Sequence, residues 1–331
     1  MSERMRVALG QFNELTHERL TFARQIGVTG IQMNTPMLPA EDGYWKYEDL
    51  KRLVDRTESY GLKLEALENT PTHFYVKAML GLPGRDEQIE NYQKTLRNMG
   101  KAGIPMLGYN WMPNWVWRTP DKKGRGGVRV TAFSMDELDA PLVAGVKTLD
   151  VLGGRTIGHD EMWENYRYFT NAVLPVAEEA GVKMAIHPDD PPVPELGGIA
   201  RLFHNSDGFK KAMEEVAPSP NHGIEFCMGC FSEMGLDVIE VIRYFGPRGK
   251  IFYVHMRDVQ GCVPTFQECF LGEGNYNPVD AVRALKASGF DGFILDDHVP
   301  HMIDDSDWNH RGHAHATGYI LALVDAVYRL C

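Results

Sequence analysis

Short apolar runs alternate along the chain with longer stretches in which apolar residues recur every three or four positions. The runs RVALGQF (6–12), GVTGIQMN (27–34), LKLEALEN (62–69), GIPMLGYNW (103–111), VKMAIHP (182–188), HGIEFCMG (222–229), IFYVHMRDV (251–259) and GFILDDH (292–298) predict eight strands. Most are continuous in apolar character, as expected of parallel strands covered on both faces. Between them THERLTFARQI, KYEDLKRLVDRTESY, DEQIENYQKTLRNMGKAG, MWENYRYFTNAVLPVAEEAG, GIARLFHNSDGFKKAMEEV, MGLDVIEVIRYFG and NPVDAVRALKASG read as amphipathic helices, and HATGYILALVDAVYRL as a closing one. Gly61, Gly103, Gly181 and Gly289 each precede a strand, where a left-handed helix cap belongs. Eight such units in 331 residues predict a single α/β domain, a (β/α)8 TIM barrel.

Two segments break the rhythm: residues 112–158 after strand four and 260–274 after strand seven. Both leave the C-terminal ends of their strands, the side on which barrels build active sites. Repeats and low-complexity tracts are absent.

Composition narrows the function. The net charge is -11 and no basic stripe offsets it, so nucleic acid and anionic membrane are poor partners. Neither a signal-peptide layout at MSERMRVALGQF nor an 18-residue apolar run is present, and a cytoplasmic location is expected. Five irregularly spaced cysteines do not form a disulfide framework; Cys227 and Cys230 spell CxxC without the context of a redox motif or zinc ribbon.

The chemistry gathers at strand ends. MAIHPDDPP puts His187 where strand five must stop, since the prolines that follow forbid a helix. Cys227 closes strand six, His255 stands near the end of strand seven, and Asp297 with His298 closes strand eight. Two imidazoles, a thiolate and a carboxylate suit a divalent first-row ion, and a spacing of one βα unit lets them converge. Taken singly, a buried histidine is more often a hydrogen-bonded core residue and a strand cysteine a small hydrophobe. Glu68 and Asn110, ending strands three and four, His73 and Asp189 are candidates for substrate contact at the same rim. Arg257, two residues past His255, would face the interior with it and clamp a carboxylate, or else pair with Glu268, Asp258 or Asp297. Trp111, Trp115 and Trp117 beside Arg118 offer a sugar platform or loop packing. His298, His301, His310, His313 and His315 lie among Asp304, Asp305 and Asp307 in a tail read as a polar loop capping the barrel.

These stretches resemble the mannonate dehydratase family of xylose-isomerase-like barrels. GLPGRDEQIENYQKTLRNMGKAGIPMLGYNWMP is similar to the family's GLPGRD, IENY, TLRN and YNFMP segments. MAIHPDDPP, EFCMG with SEMG, VHMRDV and DDH are similar to its HPDDPP, FCxG with EMG, VHFRNV and PDH motifs. The resemblance implies a manganese ion on His187, Cys227, His255 and Asp297, with Fe2+, Co2+ or Zn2+ as alternatives. It makes His298 a catalytic acid or base in the loss of water from D-mannonate to 2-keto-3-deoxy-D-gluconate. Alternative readings on the same scaffold are a sugar isomerase or epimerase, an eliminase of an oxidised sugar or glycoside, and a barrel that binds without turnover. The chain departs from the family at Leu295-Asp296, where arginine-proline is usual, and at Asp258, where asparagine is. The segment DDSDWNHRGHAHATG lacks the family's tyrosine, leaving His310 or His313 to take its part. A small-molecule sugar-acid substrate and a homodimer complete the expectation.

Overall fold

A strand buried on both faces needs a neighbour on each edge, and this chain supplies them by closing on itself. In the computed structural model, which describes residues 4–146 and 152–330, eight strands form a barrel. They are β1 (Arg6–Phe12), β2 (Gly30–Asn34), β3 (Lys63–Glu68), β4 (Met106–Tyr109), β5 (Lys183–Ile186), β6 (His222–Cys227), β7 (Ile251–His255) and β8 (Phe293–Leu295). The order around the barrel is β1-β8-β7-β6-β5-β4-β3-β2, with every pair parallel. The expected (β/α)8 architecture is therefore present.

Alternation along each strand separates two cores. Leu9, Ile31, Leu67, Leu107, Ile186, Phe226, Val254 and Ile294 pack outward against the helices. Ala8, Ala66, Met106, Ala185, Tyr253, Phe293 and Leu295 fill the lumen. Two residues further along several of these strands, the lumen-facing positions become Glu68, His187, His255 and Asp297, so an apolar floor carries a polar mouth. Helices His17–Ile26, Tyr47–Glu58, Arg85–Ala102, His159–Ala180, Val238–Phe245 and Pro278–Ala287 cover the outside. Gly181, at φ 68°, ends one of them in the left-handed conformation that turns the chain into β5.

Three expectations change. IFYVHMRDV is not one strand: β7 stops at His255, and Asp258–Cys262 pairs elsewhere. The helix expected over 198–216 is confined to Ser206–Lys210, capped by Asn205, and wider turns at Lys211–Val216, because Ile199–Ala200 pairs with Glu195–Leu196. The closing helix starts at His310, inside the tail read as a loop, since the Asp305 carboxylate accepts from the Arg311 and Gly312 N–H groups and caps it.

The two long segments meet. Asp258–Cys262, Thr265–Cys269, Arg129–Ser134 and Thr119–Lys123 form one antiparallel sheet over the mouth, packed on Trp117, Phe133, Val193, Leu196, Val259 and Phe266.

A candidate metal centre at the barrel mouth

Four strand ends deliver the expected ligands, all buried except the half-buried His187. They do not form one mutual quartet but overlapping triads in which ligand atoms lie within 4.8 Å of one another: His187 with Cys227 and Cys230, His187 with Glu225 and His255, and Cys227 with His255 and Asp297. His187 Nδ1 lies 2.7 Å from the Pro188 carbonyl, which can only accept, so Nδ1 carries the proton and Nε2 offers a lone pair. His255 turns Nε2 toward Glu225 (3.2 Å) and Glu68 (3.3 Å), and Nδ1 toward Asp297 (3.7 Å). Neither of its ring nitrogens nor either Glu225 oxygen makes a hydrogen bond, although all are buried. Orphaned polar atoms of this kind are costly unless something pairs them.

The electrostatics point to what that something is. Burial alone would lower the imidazole pKa values, yet Glu225 and Cys227 bring His187 up to about 10, and Glu68, Glu225 and Asp297 push His255 well up. Burial would raise the Cys227 thiol, but Cys230, Arg257 and the two imidazoles bring it well below its ordinary value, into the thiolate form. An anion excess that draws protons onto two imidazoles draws a divalent cation equally well, and the donor set fits one.

A second layer holds these ligands. Arg257 contacts Cys227 Sγ (3.4 Å), Cys230 Sγ (3.0 Å), Asp297 (3.1 Å), Asp190 (3.3 Å), Glu233 (2.7 Å) and Glu268 (2.9 Å). Arg118 grips Asp190 through two 2.6 Å bonds and reaches Glu268 at 3.2 Å. Glu268, delivered by the rim sheet, also accepts from His298 Nδ1 at 2.7 Å. His298, with 41 % of its side chain exposed to the mouth, would be lowered by burial, but Asp297 and Glu268 raise it to about 9. Exposure screens that shift without changing its sign.

The opposite wall is made of amides. A cavity of about 800 Å³ is lined there by Gln11, Asn13, Asn34, Thr35, Asn69 and Asn110. Asn34 donates to Gln11 (2.7 Å), Gln11 to Glu68 (3.2 Å) and Asn110 to Asn69 (2.8 Å). Five non-glycine residues with positive φ line this cavity: Gln11 (64°), Thr35 (39°), Asn69 (59°), Trp115 (68°) and Asn309 (56°). Such conformations cost energy and gather where a side chain must be aimed.

Of the remaining expected residues, Glu68, Asn110, Arg118, His298 and His313 line the cavity. Four stand elsewhere. Trp111 is in the outer core against Tyr166 and Phe169, its indole N–H on Met162. His73 is exposed, against the Ala40 carbonyl. Asp189 turns into the protein to bind the Phe203 N–H and Arg201, and Asp190 faces the mouth in its place. His310 is tied to Asp305 (3.1 Å) and Ser306 (2.8 Å), off the cavity. Arg257 is in place, its donors on protein carboxylates and thiols and its side chain off the cavity lining, the placement of the ion-pair alternative and not of a carboxylate clamp. Sequence reasoning missed Glu225 and Glu233, and named Glu268 only as a possible partner of Arg257 and Asp296 only as a departure from the family. Glu225 had a signal, standing two residues before Cys227 on the same strand face.

A closed parallel barrel with cation-type ligands and a substrate-sized cavity at its C-terminal mouth has the layout of a (β/α)8 barrel enzyme. A xylose isomerase domain protein from Planctomyces limnophilus shares that fold, with a TM-score of 0.63 at 14% identity over 98% of this chain and 99% of that one. The model of D-mannonate dehydratase (UxuA) matches residues 5–330. Mannonate dehydratase 2 of Halalkalibacterium halodurans is 34% identical over 89% of this chain and 90% of its own length. The crystal structure of mannonate dehydratase from Streptococcus suis serotype 2 superposes with a TM-score of 0.88 at 28% identity, over 99% of this chain and 96% of that one. The chain belongs to the D-mannonate dehydratase family.

Proposed function

We propose that this protein is a hydro-lyase that removes water from D-mannonate to give 2-keto-3-deoxy-D-gluconate, with Mn2+ at the mouth on His187, Cys227, His255 and Asp297. The ion, when bound, supplies a positive charge that stabilises the negative charge developing next to the substrate carboxylate as the C2 proton leaves. The chain's own residues move the protons. Elimination needs one group to take the C2 proton and another to give a proton to the departing C3 hydroxyl. Two histidines on the cavity are held by carboxylates: His298 by Glu268 at 2.7 Å, and His313 by Asp296 at 2.8 Å. In each the carboxylate fixes the proton on Nδ1 and leaves Nε2 to exchange one. Family tyrosine chemistry is thereby replaced by His313, packed between Phe12 and Trp308, and not by His310.

The amides of β1–β4 then order the sugar hydroxyls by donating and accepting, without adding charge. The observation that carries the reading is His298 on Glu268 directly beside Asp297. Incubating Mn2+-loaded protein with D-mannonate should yield a 2-keto-3-deoxy acid by colorimetric assay; no such product from any of a panel of hexonates would sink the proposal. A homodimer in the cytoplasm remains part of it. Among the described residues no helix is long and apolar enough to cross a membrane, and light scattering measures the mass.

A further inference from the structure

Most of the buried carboxylates at the mouth have partners. Asp190 has two arginines, Glu268 has two arginines and His298, and Glu68 has Gln11 and Gln32. Glu225 is different: it is fully buried in the lumen face of β6, and both of its oxygens lack a hydrogen bond. No arginine or lysine contacts it among the described residues. The groups around it are His255 Nε2 at 3.2 Å, His187 within ligand-sharing distance, and the Tyr253 hydroxyl, itself without a partner.

A glycine lets these groups crowd together at that point. Gly108 of β4 faces Glu225 across the lumen; a Cβ there would stand 2.5 Å from its Oε2 and 2.1 Å from the Tyr253 Oη. Any side chain at 108 would push Glu225 and Tyr253 away from the imidazoles. His187 offers Nε2 because Pro188 holds Nδ1, and His255 turns Nε2 the same way. Two imidazole nitrogens and a carboxylate without a hydrogen bond, their ligand atoms within 4.8 Å of one another, match the two-histidine, one-carboxylate set that holds divalent iron and its neighbours.

We propose that Glu225 is a ligand of the mouth cation, binding from the lumen side opposite the substrate. The ion is then seated one layer deeper than His187, Cys227, His255 and Asp297 alone would place it. A carboxylate holding the ion from below would leave the cavity side free for substrate oxygens. This rests on the reading that a divalent cation occupies the mouth, and on none of the proton-transfer roles.

The test is Mn2+ and Co2+ binding to chelator-stripped protein, by calorimetry and by the electron paramagnetic resonance of free Mn2+, for wild type, Glu225→Gln and Cys227→Ser. Glu225→Gln preserves volume and should weaken Mn2+ by at least about tenfold, a loss typical even of residues that only support a ligand. The visible spectrum of the Co2+ form should strengthen, as the ion loses a ligand and moves toward tetrahedral. The stripped variant should melt above stripped wild type, because an unpaired buried acid has gone. An affinity within twofold of wild type with an unchanged Co2+ spectrum, while Cys227→Ser still loses the ion, would overturn the assignment and leave the metal site standing. If wild type itself binds neither ion, the metal reading and this one fall together. Crystals of Mn2+-loaded wild type need no variant: an ion bonded to a Glu225 oxygen supports the assignment, and one out of its reach ends it.

Discussion

The two halves of the barrel mouth solve different problems. Strands β5–β8 and the rim sheet bring His187, Cys227, His255, Asp297, Asp190, Glu268 and two arginines into one network, nearly all of it buried. Strands β1–β4 present Gln11, Asn34, Thr35, Asn69 and Asn110, amides and a hydroxyl whose hydrogen bonds run among themselves and to Glu68. A buried charge removed from such a network leaves its partner unpaired, whereas a lost amide leaves a site that water can refill. Chemistry is thus expected to depend on the charged half, and recognition of hydroxyls on the neutral one.

The sharpest way to break that division is His298→Asn. It should lower kcat by about 10²- to 10⁴-fold, the span of general acid–base catalysis, while Mn2+ content by atomic absorption stays at the wild-type level. Retained turnover would remove proton transfer from the charged half. Arg257→Met comes next, because it takes the one contacting arginine among the described residues from Glu233 and Asp297 and leaves Glu268 and Asp190 with Arg118. Its cost should be about 3–5 kcal/mol in chemical denaturation, the range for breaking a buried pair. A loss below about 1 kcal/mol would mean that the carboxylates do not need it.

A third effect lies below the charged half. His222, at the start of β6, donates Nδ1–H to the Ala217 carbonyl and accepts at Nε2 from Tyr109 and Tyr166, so it must be neutral. Burial lowers its pKa from 6.5 to about 4. Between those values the unfolded chain takes a proton that the folded one refuses. The stability it contributes is therefore complete above 6.5 and is lost as pH falls toward 4, on the order of 3 kcal/mol. Urea unfolding from pH 8 to pH 4 should show a shallower decline in His222→Gln than in wild type; parallel curves would refute the neutral imidazole.

The smallest change is expected on the amide side. Asn110→Ala removes one donor to Asn69 and should raise KM several-fold, about 1 kcal/mol, with kcat and metal content held. A fall in kcat as large as that of His298→Asn would erase the distinction between the halves.

Much of the site could be read before any coordinates because strand ends recur at the βα spacing, and every strand end falls on the same rim. That logic put His187, Cys227, His255, Asp297 and His298 at one rim, and there they stand. It failed where the period of two stops: Asp189 and Asp190 follow the end of β5, and the turn there sends the first inward and the second to the mouth. Trp111 looked like a sugar platform because composition cannot tell an exposed indole from one packed on Tyr166 and Phe169. Glu268 and Arg118, 150 residues apart, are joined by a sheet that neither insertion could form alone.

Local pattern alone settled the number of βα units, the parallel barrel, and which strands end in metal-type side chains, since these follow from periodicity that each segment carries within itself. Tertiary structure decided which carboxylate each arginine holds, which histidine faces the cavity, and that Glu225 meets imidazoles and no arginine or lysine among the described residues. Pairings of that kind depend on contacts between segments far apart in the chain, and burial, which fixes their energy, exists only once the barrel has closed.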